Sequence, residues 1–148
     1  MAQAMVERLN AQHWLLITSR ASWERMEQAG AWAFADKSLK RASMLHRGTQ
    51  GVVYCTGESS FAAVIEFTGE FRQHARSTVF GALYPHAMPF RVVAAPGFSL
   101  PMAAVVQTLD FIGKKDYWFS YLQGQALRPL SREDFHVLAS RLQTKGAR

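Results

Sequence analysis

One segment of the sequence, QAGAWAFADKSLKRASMLHRG at positions 28–48, places a single tryptophan before a run of positive charge. Trp32 stands between alanines, and three basic residues follow it within nine positions: Lys37, Lys40 and Arg41. An aromatic ring can stack on an unpaired nucleobase while lysine and arginine hold the neighbouring phosphates. The segment has no clear amphipathic period, which predicts a connector rather than a strand. A loop tryptophan that docks on the core explains the same residues equally well.

A second segment, STVFGALYPHAMP at positions 77–89, combines loop residues with two aromatic side chains, Phe80 and Tyr84. Two arginines, Arg72 and Arg76, precede these aromatics. Loop aromatics framed by basic residues are typical of sites that stack an extruded base. Loops held onto the core by their own aromatics are the alternative, and the residues support it about as well.

The distribution of charge favours a surface that faces phosphates. The chain has 17 Lys and Arg against 11 Asp and Glu, a formal net charge of +6. No acidic residue occurs in positions 37–57 or 71–109. Such asymmetry is typical of a nucleic-acid-binding surface. On composition alone, an uneven scatter of solvated charges explains it equally well.

The short motifs of common catalytic sites are missing from the sequence. It has no glycine-rich phosphate loop, and GFSLP lacks the second glycine of a nucleophile elbow. The five histidines form neither an HxxxH nor an HxE pair. Glu66 and Glu70 would lie about 13 Å apart along a strand, too far to share a proton. The sequence therefore predicts no catalytic residue, no metal site and no cofactor.

The elements that must position these residues are strands and helices that alternate along the chain. Apolar runs predict strands at HWLLITS (13–19), QGVVYCT (50–56), SSFAAVIEFTGEF (59–71) and MPFRVVAA (88–95), the middle two joined as a hairpin through GESS. In the longest strand, alternation places five residues on the face toward the core: Phe61, Ala63, Ile65, Phe67 and Phe71. Glu66, Thr68 and Glu70 share the opposite face, toward water. Mixed strands and helices of this kind indicate an α+β domain built on a curled sheet or small barrel.

Helices are predicted from ASWERMEQAG, which starts at Ser22 and stops at Gly30, and from SLPMAAVVQTLDFI, with Pro101 in its first turn. A short helical turn is expected in SLKRASMLHRG. The last helix has Ser131 as N-cap and Asp134 in the position of a capping box.

The length of 148 residues predicts one domain over residues 12–143, with an N-terminal extension at 1–11 and a frayed tail at 144–148. Glu7 and Arg8 stand where a signal peptide would be apolar, and no stretch is long enough to span a membrane, so we expect a cytoplasmic protein without a membrane partner. The single cysteine, Cys55, excludes an intramolecular disulfide.

The order of these features over about residues 12–142 resembles the EVE domain of the PUA-like superfamily, which also contains the YTH domains. The shared pattern is an aromatic-led first strand ending in Ser or Thr, a helix, a tryptophan-containing connector, a basic short helix and a strand such as GVVYCT. FGALYPHAMPFRV, VVQTLDFIGKKDYW and LRPLSREDFHVL resemble the second half of the family. The resemblance implies a PUA-like small, mixed-strand β-barrel with flanking helices, which binds nucleic acid with a modified or flipped base.

The resemblance also implies a base-binding pocket and a phosphate-binding surface. Trp32 matches a pocket wall, Thr18 and Ser19 match a strand end that can contact a base edge, and Phe80 and Tyr84 stand where related domains often carry a tryptophan. The basic residues beside the pocket would neutralise phosphates of DNA or RNA: Lys37, Lys40, Arg41, Arg72 and Arg76.

Two other functions stay open at this point. The related ASCH domains include enzymes that resemble amidohydrolases of acylated nucleosides, and this chain could supply Thr18, Lys37 or Lys40, and Glu66 for such chemistry. The third possibility is a module that binds a free nucleoside or another small aromatic ligand in the same pocket. Phosphate contacts would distinguish the nucleic-acid reader from this module, because they make affinity fall steeply with salt.

Overall fold

The structure of the protein is a computed structural model that describes residues 13–72, 85–95 and 99–146, the last three of these by their backbone alone. Three predicted site residues, Arg76, Phe80 and Tyr84, lie outside the described residues, as does the predicted extension at 1–11.

Seven strands and four helices make up the described residues. The strands are β1 (His13–Ser19), β2 (Ala31–Phe34), β3 (Gln50–Thr56), β4 (Ser60–Phe67), β5 (His86–Ala94), β6 (Leu100–Pro101) and β7 (Leu127–Pro129). The helices are α1 (Arg20–Ala29), α2 (Leu39–Ala42), α3 (Met102–Val105) and α4 (Arg132–Gly146). Short 3-10 segments span Asp36–Ser38, Val106–Thr108 and Lys115–Tyr121.

One mixed sheet connects all seven strands, in the order β2-β5-β4-β3-β1-β7, with β6 paired to β4. β1 runs parallel to β3, and the other pairs are antiparallel. Trp32 of β2 and Leu127 of β7 belong to one buried cluster although their strands end the sheet on opposite sides, so the sheet is strongly curled. The predicted α+β class, with a small mixed-strand barrel and flanking helices, is confirmed in the form of a half-barrel, whose end strands β2 and β7 are not paired with one another.

The curled sheet is buried on both faces, each face carrying its own core. The inner core, which includes Leu16, Val53 and Ile65, is covered by α1 and α2. The outer core, which includes Leu15 and Val52, is covered by α3 and α4. The near-continuous apolar runs of β1 and β3 follow from this double burial, because a strand covered on both sides has no polar face.

The predicted face of Phe61 in β4 was wrong because the strand contains a bulge, whereas Ala63, Ile65 and Phe67 share one core as predicted. Val53 pairs with Ala63 and Tyr54 pairs with Phe61, which leaves Ala62 as an extra residue. A bulge of this kind reverses the alternation on one side of it. Phe61 therefore packs on Tyr54 in the outer core, with ring centroids 5.1 Å apart, while Ala63 lies in the inner core. Of the residues predicted to face water, Thr68 and Glu70 are exposed and Glu66 is half-buried.

Trp32 lies in strand β2, and its prediction as a connector residue was wrong. β2 has only four residues and pairs with β5, Trp32 standing opposite Met88. Four residues are too few to show the alternation of apolar and polar residues that marks a strand. The conformation of β2 depends instead on pairing with a segment far away in sequence. The tryptophan is consequently fixed by the sheet.

Helix α1 begins at Arg20, two residues before the predicted start at Ser22. Ser19 is extended and its hydroxyl accepts a hydrogen bond from the Ser22 main-chain N–H at 3.2 Å, so Ser19 is the N-cap. The predicted stop at Gly30 is confirmed, and its φ of 70° is left-handed.

The long helix predicted from Pro101 to Ile112 is shorter than expected. Only Met102–Val105 is α-helical, followed by a 3-10 turn at Val106–Thr108. The main-chain N–H groups of Asp110 and Phe111 instead donate to the Asp134 carboxylate, at 2.7 and 3.0 Å. A continuing helix would have used those N–H groups on carbonyls one turn earlier.

Helix α4 has the predicted N-cap, since the Ser131 hydroxyl accepts from the Asp134 N–H at 3.0 Å. The reciprocal half of the predicted capping box is not formed, because the Asp134 carboxylate accepts from the loop at 110–111. The helix continues to Gly146, into the segment predicted to fray. None of the helices in the described part of the chain is long and apolar enough to cross a membrane.

Candidate functional site

A cavity among the described residues lies at the seam where the curled sheet does not close on itself. Its volume is about 640 Å³. The end of β1, the strand β2 and the segment 122–126 before β7 border it. The edges of the sheet, β2 and β7, are not paired with one another, which leaves room between them for a ligand.

Trp32 forms part of the lining and is anchored in the inner core. Its ring lies 6.0 Å from that of Trp23 and 6.1 Å from that of Phe90, and only 3% of the residue is exposed. These contacts fix the ring, so Trp32 is part of the core and of the cavity lining at once.

Trp118 and Phe119 also line the cavity, and the sequence analysis did not select them as site residues. Trp118 is half-buried against the outer core, and 53% of Phe119 is exposed. The available signal was the dense aromatic cluster DYWFSY at 116–121. Its spacing gave no hint that it would reach a cavity that Trp32 also lines.

The 3-10 segment that carries Trp118 is held by a hydrogen bond between its two ends and by contacts of the loop before it. At its start, the Lys114 N–H donates to the Tyr121 hydroxyl at 3.0 Å. The preceding loop is held by the buried Asp134 carboxylate, and the Arg128 guanidinium lies 4.7 Å from the centre of the Phe111 ring. Trp118 is therefore positioned by contacts with β7 and α4 as well as by its own segment.

Polar groups line the cavity between these aromatics. Thr18 and Ser19 lie at the end of β1, as predicted, and other hydroxyls and side-chain amides join them: Ser22, Ser38, Thr56, Ser59, Gln123 and Gln125. The Ser19 hydroxyl already accepts from the Ser22 N–H, whereas a hydroxyl can still donate. Burial raises the pKa of the Tyr54 hydroxyl, another lining group, which therefore remains a neutral hydrogen-bonding group.

An ion pair fixes the β3–β4 turn beside the cavity. The Arg20 guanidinium donates to both carboxylate oxygens of Glu58, each at 3.0 Å, and to the Ser99 hydroxyl at 3.1 Å. This bidentate contact lowers the pKa of Glu58 and raises that of Arg20. Gly57 and Ser59, on either side of Glu58, line the cavity. The pair therefore holds one border of the cavity in place.

A basic groove continues from the cavity. A second, smaller cavity of about 200 Å³ is lined by Lys37, Ser38, Arg41 and the segment 124–127, and it shares Lys37 with the first. Arg41 Nη1 donates to the Leu127 carbonyl at 2.8 Å, which connects α2 to the edge strand β7. Lys37 and Arg41 thus lie side by side along one continuous depression, called the basic groove below.

Two other predicted phosphate-binding residues lie elsewhere. Lys40 is exposed on α2 but lines neither cavity. Arg72 pairs through its main chain with Ala87 of β5 and also lines neither cavity. The structure therefore brings together Trp32, Thr18, Ser19 and Lys37 at the cavity and adds Arg41 in the groove.

The described lining of both cavities contains no carboxylate and no histidine side chain. Glu66, the acid named in the amidohydrolase alternative, forms an ion pair with Arg91 at 2.7 Å and lines neither cavity. Within the ranges described, no group of His, Cys, Asp or Glu is arranged to hold a metal ion. The lining offers stacking, hydrogen bonding and positive charge.

Comparison with known protein sequences finds relatives at low identity. No family model matches the chain. The chain is 27% identical over 141 residues to a UPF0310 protein of Pyrococcus abyssi, spanning 88% of this chain and 99% of that protein. Such similarity extends over nearly the whole length of that relative.

Two solved structures have the same arrangement of strands and helices. The YTH domain of the Zygosaccharomyces rouxii MRB1 protein, solved in complex with N6-methyladenosine RNA, superimposes with a TM-score of 0.68 at 15% identity, over 88% of this chain and 86% of that one. The DUF55 domain of human thymocyte nuclear protein 1 gives 0.63 at 14% identity, over 88% and 98%. At these identities the likeness establishes the fold, which is PUA-like.

Proposed function

We propose that this chain is a nucleic-acid-binding reader that holds one extruded, modified base in the cavity lined by Trp32 and Trp118. In this proposal it is an EVE domain, its single domain spans residues 12–143, and it acts in the cytoplasm on DNA or RNA. The observation that carries the proposal is the cavity itself, where aromatic rings from two distant segments share a lining with Lys37 of the basic groove.

The size and chemistry of the cavity suit a base. A volume of about 640 Å³ falls within the range of small-ligand sites, about 300 to 1,000 Å³. Stacking of a base on an aromatic ring contributes about 1 to 3 kcal/mol. The Thr18 and Ser19 end of β1 and the amides of Gln123 and Gln125 supply donors and acceptors for the edge of the base. Stacking thus favours an extruded base, and the polar groups select which one.

The basic groove distinguishes a polymer from a free nucleoside. Lys37 belongs to both cavities, and Arg41 lies beyond it in the second. A base in the first cavity would bring its flanking phosphate toward these two cations, whereas a free nucleoside has no phosphate to place there. The fold of the YTH domain that was solved with N6-methyladenosine RNA supports the same kind of ligand. Arg72, Arg76, Phe80 and Tyr84 remain candidates for further contacts.

The absence of an acidic group from the described lining favours binding over catalysis. An amidohydrolase needs a group that moves a proton at the reacting centre. Glu66, the candidate for that role, is paired with Arg91 outside the cavity. We therefore infer a binding function, with the nucleoside amidohydrolase as the less supported alternative.

A panel of short oligonucleotides tests the proposal. Pentanucleotides of RNA and DNA carry N6-methyladenine, 5-methylcytosine or an unmodified base at the centre, and binding is followed by tryptophan fluorescence and by thermal shift. Trp118→Ala is expected to lower the affinity for the best ligand about 5-fold or more, since it removes one stacking surface. Trp118→Phe keeps an aromatic ring and is the matched control. If Trp118→Ala bound the panel as tightly as the unaltered protein, the cavity would not be the base-binding site.

A further inference from the structure

Two aromatic side chains at the cavity are more than half exposed. Tyr117 and Phe119 are the exposed large hydrophobic residues of the described chain, at 61% and 53% exposure. Their ring centroids lie 6.3 Å apart with an interplanar angle of 63°. Phe119 lines the mouth of the cavity and Tyr117 lies outside it. We call this pair the aromatic shelf.

The backbone presents the shelf to solvent in a fixed way. Tyr117 has φ −119° and ψ 36°, a break within the 3-10 segment. The Ser120 hydroxyl donates to the Tyr117 carbonyl at 2.8 Å, and the Lys115 ammonium group donates to the Leu109 carbonyl at 2.5 Å. A segment held by such contacts keeps its backbone in place, so little backbone freedom would be lost when a ligand covers the two rings. Two adjacent exposed aromatics on an anchored segment are typical of a binding surface.

We propose that the aromatic shelf stacks the unpaired base next to the one in the cavity, so that the ligand is single-stranded nucleic acid. The inference rests on the proposed function and extends it by one nucleotide. Phe119 lines only the first of the two cavities, and Arg41 lines only the second. The shelf and Arg41 therefore border different cavities, and in this proposal the strand passes from shelf to cavity to groove.

The geometry of the shelf favours an unpaired base over a duplex. In a duplex the face of each base is covered by its stacked neighbours, so an exposed ring finds a free base face only in an unpaired strand. The rings of Tyr117 and Phe119 stand at 63° to one another, so the pair is not flat. An unpaired base can rotate to lie on either ring, and stacking of this kind tolerates any base. We thus expect the shelf to add affinity without adding sequence preference.

The test uses the intact chain and uridine-flanked RNA pentanucleotides with the central bases of the panel. Matched probes replace the base on the 5′ or the 3′ side of the centre by an abasic site, which keeps every phosphate. Tyr117→Ala is expected to lower the affinity for the intact probe about 5-fold or more, and Tyr117→Phe to retain it. One of the abasic probes should bind the unaltered protein that much more weakly and show no further loss with Tyr117→Ala. A duplex with the same central base should bind more weakly than the single strand.

The possible outcomes distinguish a failure of the shelf proposal from a failure of the cavity proposal. If Tyr117→Ala changed no affinity, or lowered it equally on intact and abasic probes, the shelf would not take a neighbouring base, although a loss with Trp118→Ala would still support the cavity. Tighter binding of the duplex would overturn the single-stranded assignment. If Trp118→Ala had no effect, the base-binding cavity itself would be wrong, and if the unaltered protein bound no pentanucleotide, both proposals would fail.

Discussion

The buried carboxylate of Asp134 is expected to hold the aromatic wall of the cavity in place. Only 1% of Asp134 is exposed, and its two oxygens accept from the N–H groups of Asp110 and Phe111 at 2.7 and 3.0 Å. Asp134→Ala leaves both N–H groups without their acceptor, and each such group costs about 1 to 3 kcal/mol when it is buried. Because the two N–H groups are only partly buried, we expect the free energy of unfolding to fall by about 2 to 4 kcal/mol in total.

Urea denaturation and thermal unfolding measure this loss. For a chain of this size, about 2 to 4 kcal/mol corresponds to a decrease in Tm of about 4 to 16 °C. Glu133→Ala is the matched control, because it removes the same charge from the same first turn of α4, where its residue is exposed. Loss of a favourable charge near a helix N-terminus accounts for about 0.3 to 1 kcal/mol. The difference between the two variants isolates the hydrogen bonds to the loop.

Limited proteolysis reports the local consequence. Lys114 and Lys115 follow the loop that Asp134 holds and are sites for trypsin. Release of the loop in Asp134→Ala should speed cleavage there, under conditions in which the variant is still folded. If Asp134→Ala lost no more stability than Glu133→Ala and its cleavage at these lysines were unchanged, the carboxylate would not position the segment that carries Trp118.

The remaining predictions concern salt and pH. Lys37→Gln is expected to make the slope of log affinity against log salt less negative by about 1, because one phosphate contact is lost. Arg132→Gln, in α4 near His13 at the start of β1, should leave the slope unchanged. Equal slopes for the unaltered protein and both variants would argue against the basic groove. Burial, together with the charges of His136 and Arg132, lowers the pKa of His13, so the unfolded chain binds more protons than the native one below about pH 6.5. Stability should therefore fall as the pH decreases through that range, more steeply than in His13→Gln, and parallel curves from urea titrations would refute this origin.

The parts of the fold that depend on local pattern could be predicted from the sequence. β1 and β3 have the bounds His13–Ser19 and Gln50–Thr56 that their apolar runs indicate. The end of α1 at Gly30 and the N-cap of α4 at Ser131 could also be predicted. Each depends on one residue type, a glycine that adopts a left-handed φ and a serine whose hydroxyl accepts from a free N–H of the first turn.

The features that depend on distant contacts could not be predicted in the same way. The bulge at Ala62 changes the face of Phe61, and nothing in the alternation marks it. The early end of the helix after Val105 reflects the competition of the Asp134 carboxylate for two N–H groups, from a residue more than twenty positions away. The contribution of Trp118 to the cavity has the same origin, since the curl of the sheet decides which segments meet at its seam.

The location of Trp32 determines which substitution can test the site. Trp32 packs on Trp23 and Phe90 and is almost fully buried, so Trp32→Ala would remove core packing and cost about 3 to 5 kcal/mol of stability. A loss of binding in that variant could then follow from unfolding alone. Trp118 is half-buried and Phe119 is exposed, so their substitution removes stacking surface with a smaller effect on the core. The stacking function of the cavity is therefore tested at Trp118. The Trp32→Ala substitution measures chiefly how much the stability of the inner core depends on the Trp32 ring.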